Sequence, residues 1–281
     1  MIVIGSRGSQ LALWQARHIA AKLAEAGVET RLEIIKTTGD KIQDVPLAQV
    51  GGKGLFTKEI EEALLDRRID LAVHSLKDMP ADLPEGLILS AIPEREDPRD
   101  ALIGSPLKDG ARVGTSSLRR TVQLKAMHRS ISIEMLRGNL DTRLRKLDEG
   151  QYDTIILAAA GLRRLGWADR ISELIPVDVM IPAVGQGALA IETRNDGGEA
   201  HRMAATLEHG PSRTRVTAER AFLAVFGGGC QVPIGAHATL YGSEIHLRAF
   251  VSEPDGSKVK RGEMSGTDPV ALGQALAARV L

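Results

Sequence analysis

The sequence has one cysteine, Cys230, so no disulfide forms within the chain, and a cysteine-rich zinc site is excluded as well. That usage fits a reducing compartment. Aromatic residues make up only 3% of the chain, which leaves few platforms on which single-stranded bases would stack. Net charge is also missing: Lys plus Arg number 36 and Asp plus Glu number 36. No global field therefore draws in nucleic acid, and any anion site has to be local. No apolar run approaches the roughly 20 residues that span a bilayer; the longest, Ile155 to Leu162, is interrupted by Gly161. MIVIGSRGSQ at the N-terminus lacks the basic and apolar regions of a signal peptide, so a cytoplasmic location and no membrane partner are expected. The seven histidines show no HxH or HxxxH spacing, and no metal is expected.

What is present describes an ordinary globular chain. Its 281 residues, 43% hydrophobic and 26% charged, suffice for two domains or three small ones. Short β-branched runs alternate with helical patterns: strand Ile2 to Ile4, helix Leu11 to Ala26 closed by Gly27, strand Arg31 to Lys36, helix Thr57 to Asp66, strands Leu71 to Val73 and Leu87 to Ile92. Pro93 to Asp100 reads as a connector. The pattern then restarts with strand Arg112 to Gly114, helix Leu118 to His128, strand Ile131 to Met135, helix Leu140 to Glu149 and strand Thr154 to Ala158. Pro176 and Pro182 punctuate a second crossing. Helical stretches Glu199 to His209 and Thr217 to Phe226 lead to strands Ala236 to Tyr241 and Glu244 to Val251. The succession predicts two α/β lobes with mostly parallel sheets and a small α+β C-terminal domain.

Several clusters bear on chemistry. Cys230 stands in GGGCQVP, where glycines allow tight turns; the thiol is either a reactive group on that loop or a small buried hydrophobe. Spacing does not separate attack on substrate from attachment of a cofactor. Asp78, in HSLKDMP just past a strand, is either a carboxylate in a cleft, with Lys77 and His74 nearby, or part of a solvated turn. Arg7, Arg119, Arg120, Arg137, Arg143 and Arg164 each fall near a strand end or a helix start. Singly each reads as a surface ion pair; together they suit a polycarboxylated ligand. Thr115-Ser116-Ser117 is placed to cap the helix that follows. GGKG, Gly51 to Gly54, lacks the Ser or Thr of a Walker A loop and reads as a hinge in a loop over Ile42 to Phe56. GQGALA from Gly185 is a partial dinucleotide fingerprint that Pro182 weakens.

The stretches SRGSQLALWQA, LAQVGGKGLFTKEIE, DLAVHSLKDMP, EREDPRDA, GTSSLRR, LRGNLDTRL, ILAAAGLRRLG, PAVGQGALAIE, RVTAERAF and GGGCQVPIGAHA, in that order, resemble the porphobilinogen deaminase family along nearly the whole chain. The resemblance implies lobes like periplasmic binding proteins: residues 1–93 with 188–205 as domain 1, 94–187 as domain 2, and 206–281 as domain 3. It implies a monomeric enzyme that joins four porphobilinogen molecules head to tail, releases ammonia at each step and yields hydroxymethylbilane for haem synthesis. It also implies a dipyrromethane cofactor on a thioether to Cys230. Carried over by position, Asp78 is the catalytic carboxylate; Lys77, Ser75, Thr115, Ser117, Arg119 and Arg120 contact the cofactor with it; Arg7, Lys53, Arg137, Arg143, Arg164 and Gln186 hold substrate carboxylates. Two departures stand out. Gln49 replaces a lysine found in many relatives, and the early end at Leu281 puts the last helix of the third domain in question. The rival readings are a hinged, non-catalytic anion-binding module and an NAD-dependent enzyme, the latter resting on GQGALA alone.

Overall fold

A computed structural model describes residues 1–41, 54–128, 130–227 and 232–281. They form two compact units, Met1–Glu96 with Ala188–Thr214 and Asp97–Gly187 with Arg215–Leu281.

Unit 1 is built on strands β1 (Ile2–Ser6), β2 (Thr30–Ile34), β3 (Leu71–Ser75), β4 (Leu87–Ala91) and β10 (Leu189–Arg194). Their order is β2-β1-β3-β10-β4. β1 pairs in parallel with β2 and β3, whereas β10 runs antiparallel to both β3 and β4. Four strands thus point one way and one is reversed. Helix α1 (Gln10–Glu25) starts where the Ser9 side chain accepts from the Ala12 N–H, and it buries Ala16, Ile19 and Leu23 against Ile2, Ile4 and Leu71. Residues Thr38–Lys41 form a single helical turn, α2, and α3 (Lys58–Leu65) places Ile60, Ala63 and Leu64 on the other side of the sheet with Ile69 and Ala72. α7 (Glu199–Ala205) adds Ala200 and Ala204 to the first of these cores.

Unit 2 repeats the plan. Strands β5 (Asp100–Gly104), β6 (Arg112–Gly114), β7 (Ser132–Glu134), β8 (Thr154–Ala158) and β9 (Glu173–Ile175) lie in the order β7-β6-β8-β5-β9. β6 is parallel to β7 and β8, and β5 is antiparallel to β8 and β9. Both reversed strands, β5 and β10, follow closely where the chain passes from one unit to the other. Helices α4 (Leu118–Met127), α5 (Leu140–Asp148) and α6 (Ala159–Arg164) connect the strands.

A third, antiparallel sheet, β11 (Ile234–Tyr241), β12 (Glu244–Val251) and β13 (Lys260–Gly266), also belongs to unit 2. It packs on helices α8 (Gly210–Val225) and α9 (Pro269–Val280) through Ala218, Phe222, Leu247, Leu272 and Leu276. The two helices approach so closely at Gly273 that a Cβ there would lie 2.4 Å from the Ala218 carbonyl oxygen. α9 is capped by Asp268, whose side chain accepts from the Val270 and Ala271 N–H groups.

Most expected elements are found within a residue or two. The corrections concern β5, which begins inside the segment read as a connector, and β9, β10, β13, α2 and α6, which were not anticipated. The helix expected over 199–209 ends at Ala205, and α8 starts at Gly210, earlier than the expected Thr217.

Candidate active site

In an α/β sheet, ligand-binding groups collect beyond the carboxyl ends of the parallel strands. Arg7 follows the carboxyl end of β1 and Asp40 follows that of β2. Arg7 Nε donates to Asp40 Oδ1 and Oδ2 at 3.1 and 3.3 Å, and its guanidinium lies 4.2 Å above the Phe56 ring. Although partial burial opposes it, hydrogen bonding and charge from Arg7 hold the Asp40 carboxyl below the ordinary range. β3 ends at Ser75, whose hydroxyl accepts from Gln15 Nε2 at 2.8 Å. A 3-10 turn, Leu76–Asp78, follows. Leu76 and Met79 are buried and anchor the turn, its first N–H bonds the Ala188 carbonyl, and the Asp78 side chain is left exposed. Lys77 is half-buried beside it. His74, one of the neighbours suggested by sequence, points elsewhere: its Nε2 pairs with Glu192 Oε2 at 2.9 Å, fully inside the unit.

In unit 2 the same edge carries the arginines. β6 ends at Gly114; Thr115 is buried, its hydroxyl accepts from the Ser117 N–H, and the Ser117 hydroxyl accepts from the Arg120 N–H as the cap of α4. Arg119 and Arg120, in the first turn of that helix, both turn inward to Asp100, the first residue of the reversed strand β5. Arg119 reaches Asp100 Oδ2 and the Ile181 carbonyl, each at 2.7 Å. Arg120 reaches Asp100 Oδ1 through Nε and Nη2 at 3.0 and 2.7 Å, and the Ile156 carbonyl at 2.9 Å. Gln186 Nε2 donates to the same oxygen at 3.0 Å. Burial alone would raise the Asp100 pKa, but the two guanidiniums override it and hold the group far below the carboxylate range; burial works the other way on Arg120 and lowers it.

β7 is followed by Arg137 and Gly138, the latter at φ +109°, where a Cβ would also strike Thr142. Arg143 Nε donates to the Gly138 carbonyl at 2.8 Å, and Arg164, at the end of α6, donates to the Gly187 carbonyl at 2.7 Å. Arg137 Nη1 is buried with no hydrogen-bond partner among the described residues. A buried, unsatisfied guanidinium nitrogen suits an anionic oxygen from a ligand.

Thus unit 1 sets Ser75, Lys77, Asp78 and Arg7 along one sheet edge, and unit 2 sets Thr115, Ser117, Arg119, Arg120, Arg137, Arg143, Arg164 and Gln186 along its own. Lys53, Gln49 and Cys230 lie outside the described residues. The partial dinucleotide fingerprint is corrected: Gly185 and Gly187 sit in a turn that leads into strand β10, whereas a dinucleotide site needs a helix there. Sequence reading missed Asp100, Gln15 and Asp40. Asp100 was in view within EREDPRDA, but nothing local marked it as the partner of residues 19 or more positions away.

Site and fold together are those of an α/β protein with an arginine-rich sheet edge, and the comparisons specify its family. The family description "Porphobilinogen deaminase, dipyromethane cofactor binding domain" matches residues 2–202, and "Porphobilinogen deaminase, C-terminal domain" matches 213–281. A porphobilinogen deaminase from Nitratidesulfovibrio vulgaris (strain Miyazaki F) is 53% identical over 94% of this chain and 86% of its own length. Those from Roseiflexus sp. and Brevibacillus brevis are 53% and 51% identical over 100% and 99% of this chain, and 95% and 93% of their own. The chain belongs to the porphobilinogen deaminase family, transferases of tetrapyrrole synthesis that use a dipyrromethane cofactor held by a cysteine. Among solved structures, a periplasmic substrate-binding protein of an ABC transporter from Coxiella burnetii aligns with a TM-score of 0.46 at 13% identity, over 82% of this chain and 98% of its own.

Proposed function

We propose that this chain condenses four porphobilinogen molecules stepwise and head to tail, releasing one ammonia per step, and that hydrolysis frees hydroxymethylbilane. The observation that carries the reading is the unit 2 sheet edge, where Arg119 and Arg120 share the one carboxylate of Asp100 and a buried Arg137 nitrogen has no acceptor among the described residues. Each pyrrole ring of substrate and cofactor brings an acetate and a propionate, and planar guanidiniums bind such groups in pairs.

When bound, the dipyrromethane supplies the pyrrole end on which the chain grows. Cys230, the chain's single thiol, would hold it by a thioether, and Ser75, Lys77, Thr115, Ser117, Arg119 and Arg120 would contact it. Arg7, Lys53, Arg137, Arg143, Arg164 and Gln186 orient the acetate and propionate groups of incoming substrate. Asp78 is the catalytic carboxylate. Loss of ammonia from the aminomethyl group leaves a cation on the incoming pyrrole, and a carboxylate beside the ring N–H stabilises it. The same carboxylate would accept the α-proton displaced when the new C–C bond forms. Asp78 is suited to this by its exposed place on a turn anchored by the buried Leu76 and Met79.

The third sheet with α8 and α9 forms the domain that bears Cys230, in addition to domain 1 (1–93 and 188–205) and domain 2 (94–187). The enzyme works as a cytoplasmic monomer without nucleic-acid or membrane partners; no helix of the described residues is long and apolar enough to cross a membrane. Intact mass under denaturing conditions tests the reading. The purified chain is expected to carry a two-pyrrole adduct that maps to the Cys230 peptide, and a bare chain mass would refute it.

A further inference from the structure

Asp100 is given no functional role by the sequence, yet three of the residues named above converge on it. The cluster is closed to solvent: relative exposure is 0% for Asp100, 5% for Arg119 and 6% for Arg120. Counted by contact, it contains two guanidiniums and one carboxylate. Among the described residues, one positive charge is therefore in excess in this cluster. Buried charges are stable when paired, so such an excess is costly unless a further anion meets it. The first turn of α4 bears both arginines and no acidic residue, and the N-terminal end of a helix adds positive potential of its own. Oxygens on Asp100 already take donors from Arg119, Arg120 and Gln186, while the Ile156 and Ile181 carbonyls take others, so neither guanidinium is loose.

We propose that Asp100 is a positioning residue for the polycarboxylate site: it locks Arg119 and Arg120 in place and, with one charge against two, leaves one positive charge to meet one carboxylate of the tethered dipyrromethane. This rests on the functional reading above. Without Asp100 the guanidiniums repel each other and lose their common anchor; with a second acid in place of Gln186 the cluster would be neutral and have no use for the ligand's carboxylate. The charge count, and not packing alone, is what Asp100 sets.

The test uses the full-length chain and two readouts: the fraction of molecules carrying the two-pyrrole adduct, from intact mass, and the thermal midpoint. Asp100→Asn keeps the shape of the side chain and leaves two positive charges in excess; Arg120→Gln leaves none; the double variant restores one. Both single variants are expected to lower adduct occupancy per folded molecule about tenfold or more, the scale on which losing a partner of a buried pair acts. Asp100→Asn should lower the midpoint further than Arg120→Gln, which leaves a neutral Asp100–Arg119 pair. The double variant should recover both readouts relative to Asp100→Asn. A purely structural role predicts unchanged occupancy in folded Asp100→Asn and additive losses in the double variant, and either result overturns the proposal. Should Asp100→Asn not accumulate as folded protein, the double variant decides, since one that is insoluble or unloaded overturns the proposal equally. A wild-type chain without adduct would instead mean that the functional reading has failed.

Discussion

Two segments distant in sequence, RVTAERAF and PAVGQGALA, meet at one buried carboxylate. Glu219, on α8, is fully buried; its Oε2 accepts from the Gly185 N–H at 2.8 Å and its Oε1 from the Ala238 N–H on β11 at 2.9 Å. It thereby ties the turn that delivers Gln186 to the third sheet. Glu219→Ala removes both acceptors, and a buried donor left without a partner costs about 1–3 kcal/mol. The expected loss is therefore about 2–6 kcal/mol, and Glu219→Gln, which keeps one oxygen, should lose about half of that. For a unit of this size each kcal/mol corresponds to about 2–4 °C in Tm, so Glu219→Gln should melt several degrees below wild type and Glu219→Ala further still. Thermal unfolding at neutral pH, followed by tryptophan fluorescence and circular dichroism, measures this, and turnover per folded molecule should fall as well because Gln186 loses its fixed approach to Asp100. A Glu219→Ala chain within about 1 kcal/mol of wild type would refute the reasoning, because it would mean that both N–H groups find other acceptors.

Two further outcomes are expected. Asp78→Ala should lower turnover by about 10²-fold or more, as for other preorganised electrostatic groups, and Asp78→Glu, which displaces the charge by one methylene, should lose less; equal, near-normal turnover in both would remove Asp78 from the mechanism. Glu61, inside unit 1, has its pKa raised, first by burial and then by the Glu192 charge, against opposing effects from the Thr57 hydroxyl and, less, from His74. The folded state therefore holds this proton more tightly than the unfolded chain, so the contribution is fully present below about 4.5 and is lost as pH rises through the raised folded value. Glu61→Gln, a mimic of the protonated form, should leave Tm nearly unchanged near pH 4 and raise it relative to wild type at pH 7–8; a variant equally destabilised at both pH values would contradict this.

The sequence made some parts of this structure legible and hid others for identifiable reasons. β3 and the turn bearing Asp78 were readable because Leu71 to Val73 is a short apolar run that ends at turn residues. β10 was not: its first five residues, Leu189 to Thr193, are all buried, so it lacks the alternation that marks a one-sided strand. β13 reads KRGEMSG, which has little intrinsic strand preference, and exists because seven of its residues pair with β12. β5 was hidden by the prolines and charges before it. The arginine set was visible as a set, since residues after strand ends collect at one sheet edge, but its electrostatics were not. The carboxylate that organises Arg119 and Arg120 is set by strand β5 running backwards, which places Asp100 opposite Ala158 at the carboxyl end of β8. No local pattern encodes that pairing.

On the proposed function, pyrroles are added singly to a chain tethered at Cys230. The formal charge of the polypeptide is zero, each ring brings two carboxylates, and these acids ionise well below pH 7. Holoenzyme given limiting porphobilinogen should therefore resolve, on anion exchange at low salt, into discrete and increasingly anionic species about two charges apart. Mass spectrometry under denaturing conditions should show equal mass steps on the polypeptide, all lost when the peptide containing Cys230 is excised. One ligand-bound species, or steps that vanish on denaturation, would contradict covalent stepwise elongation.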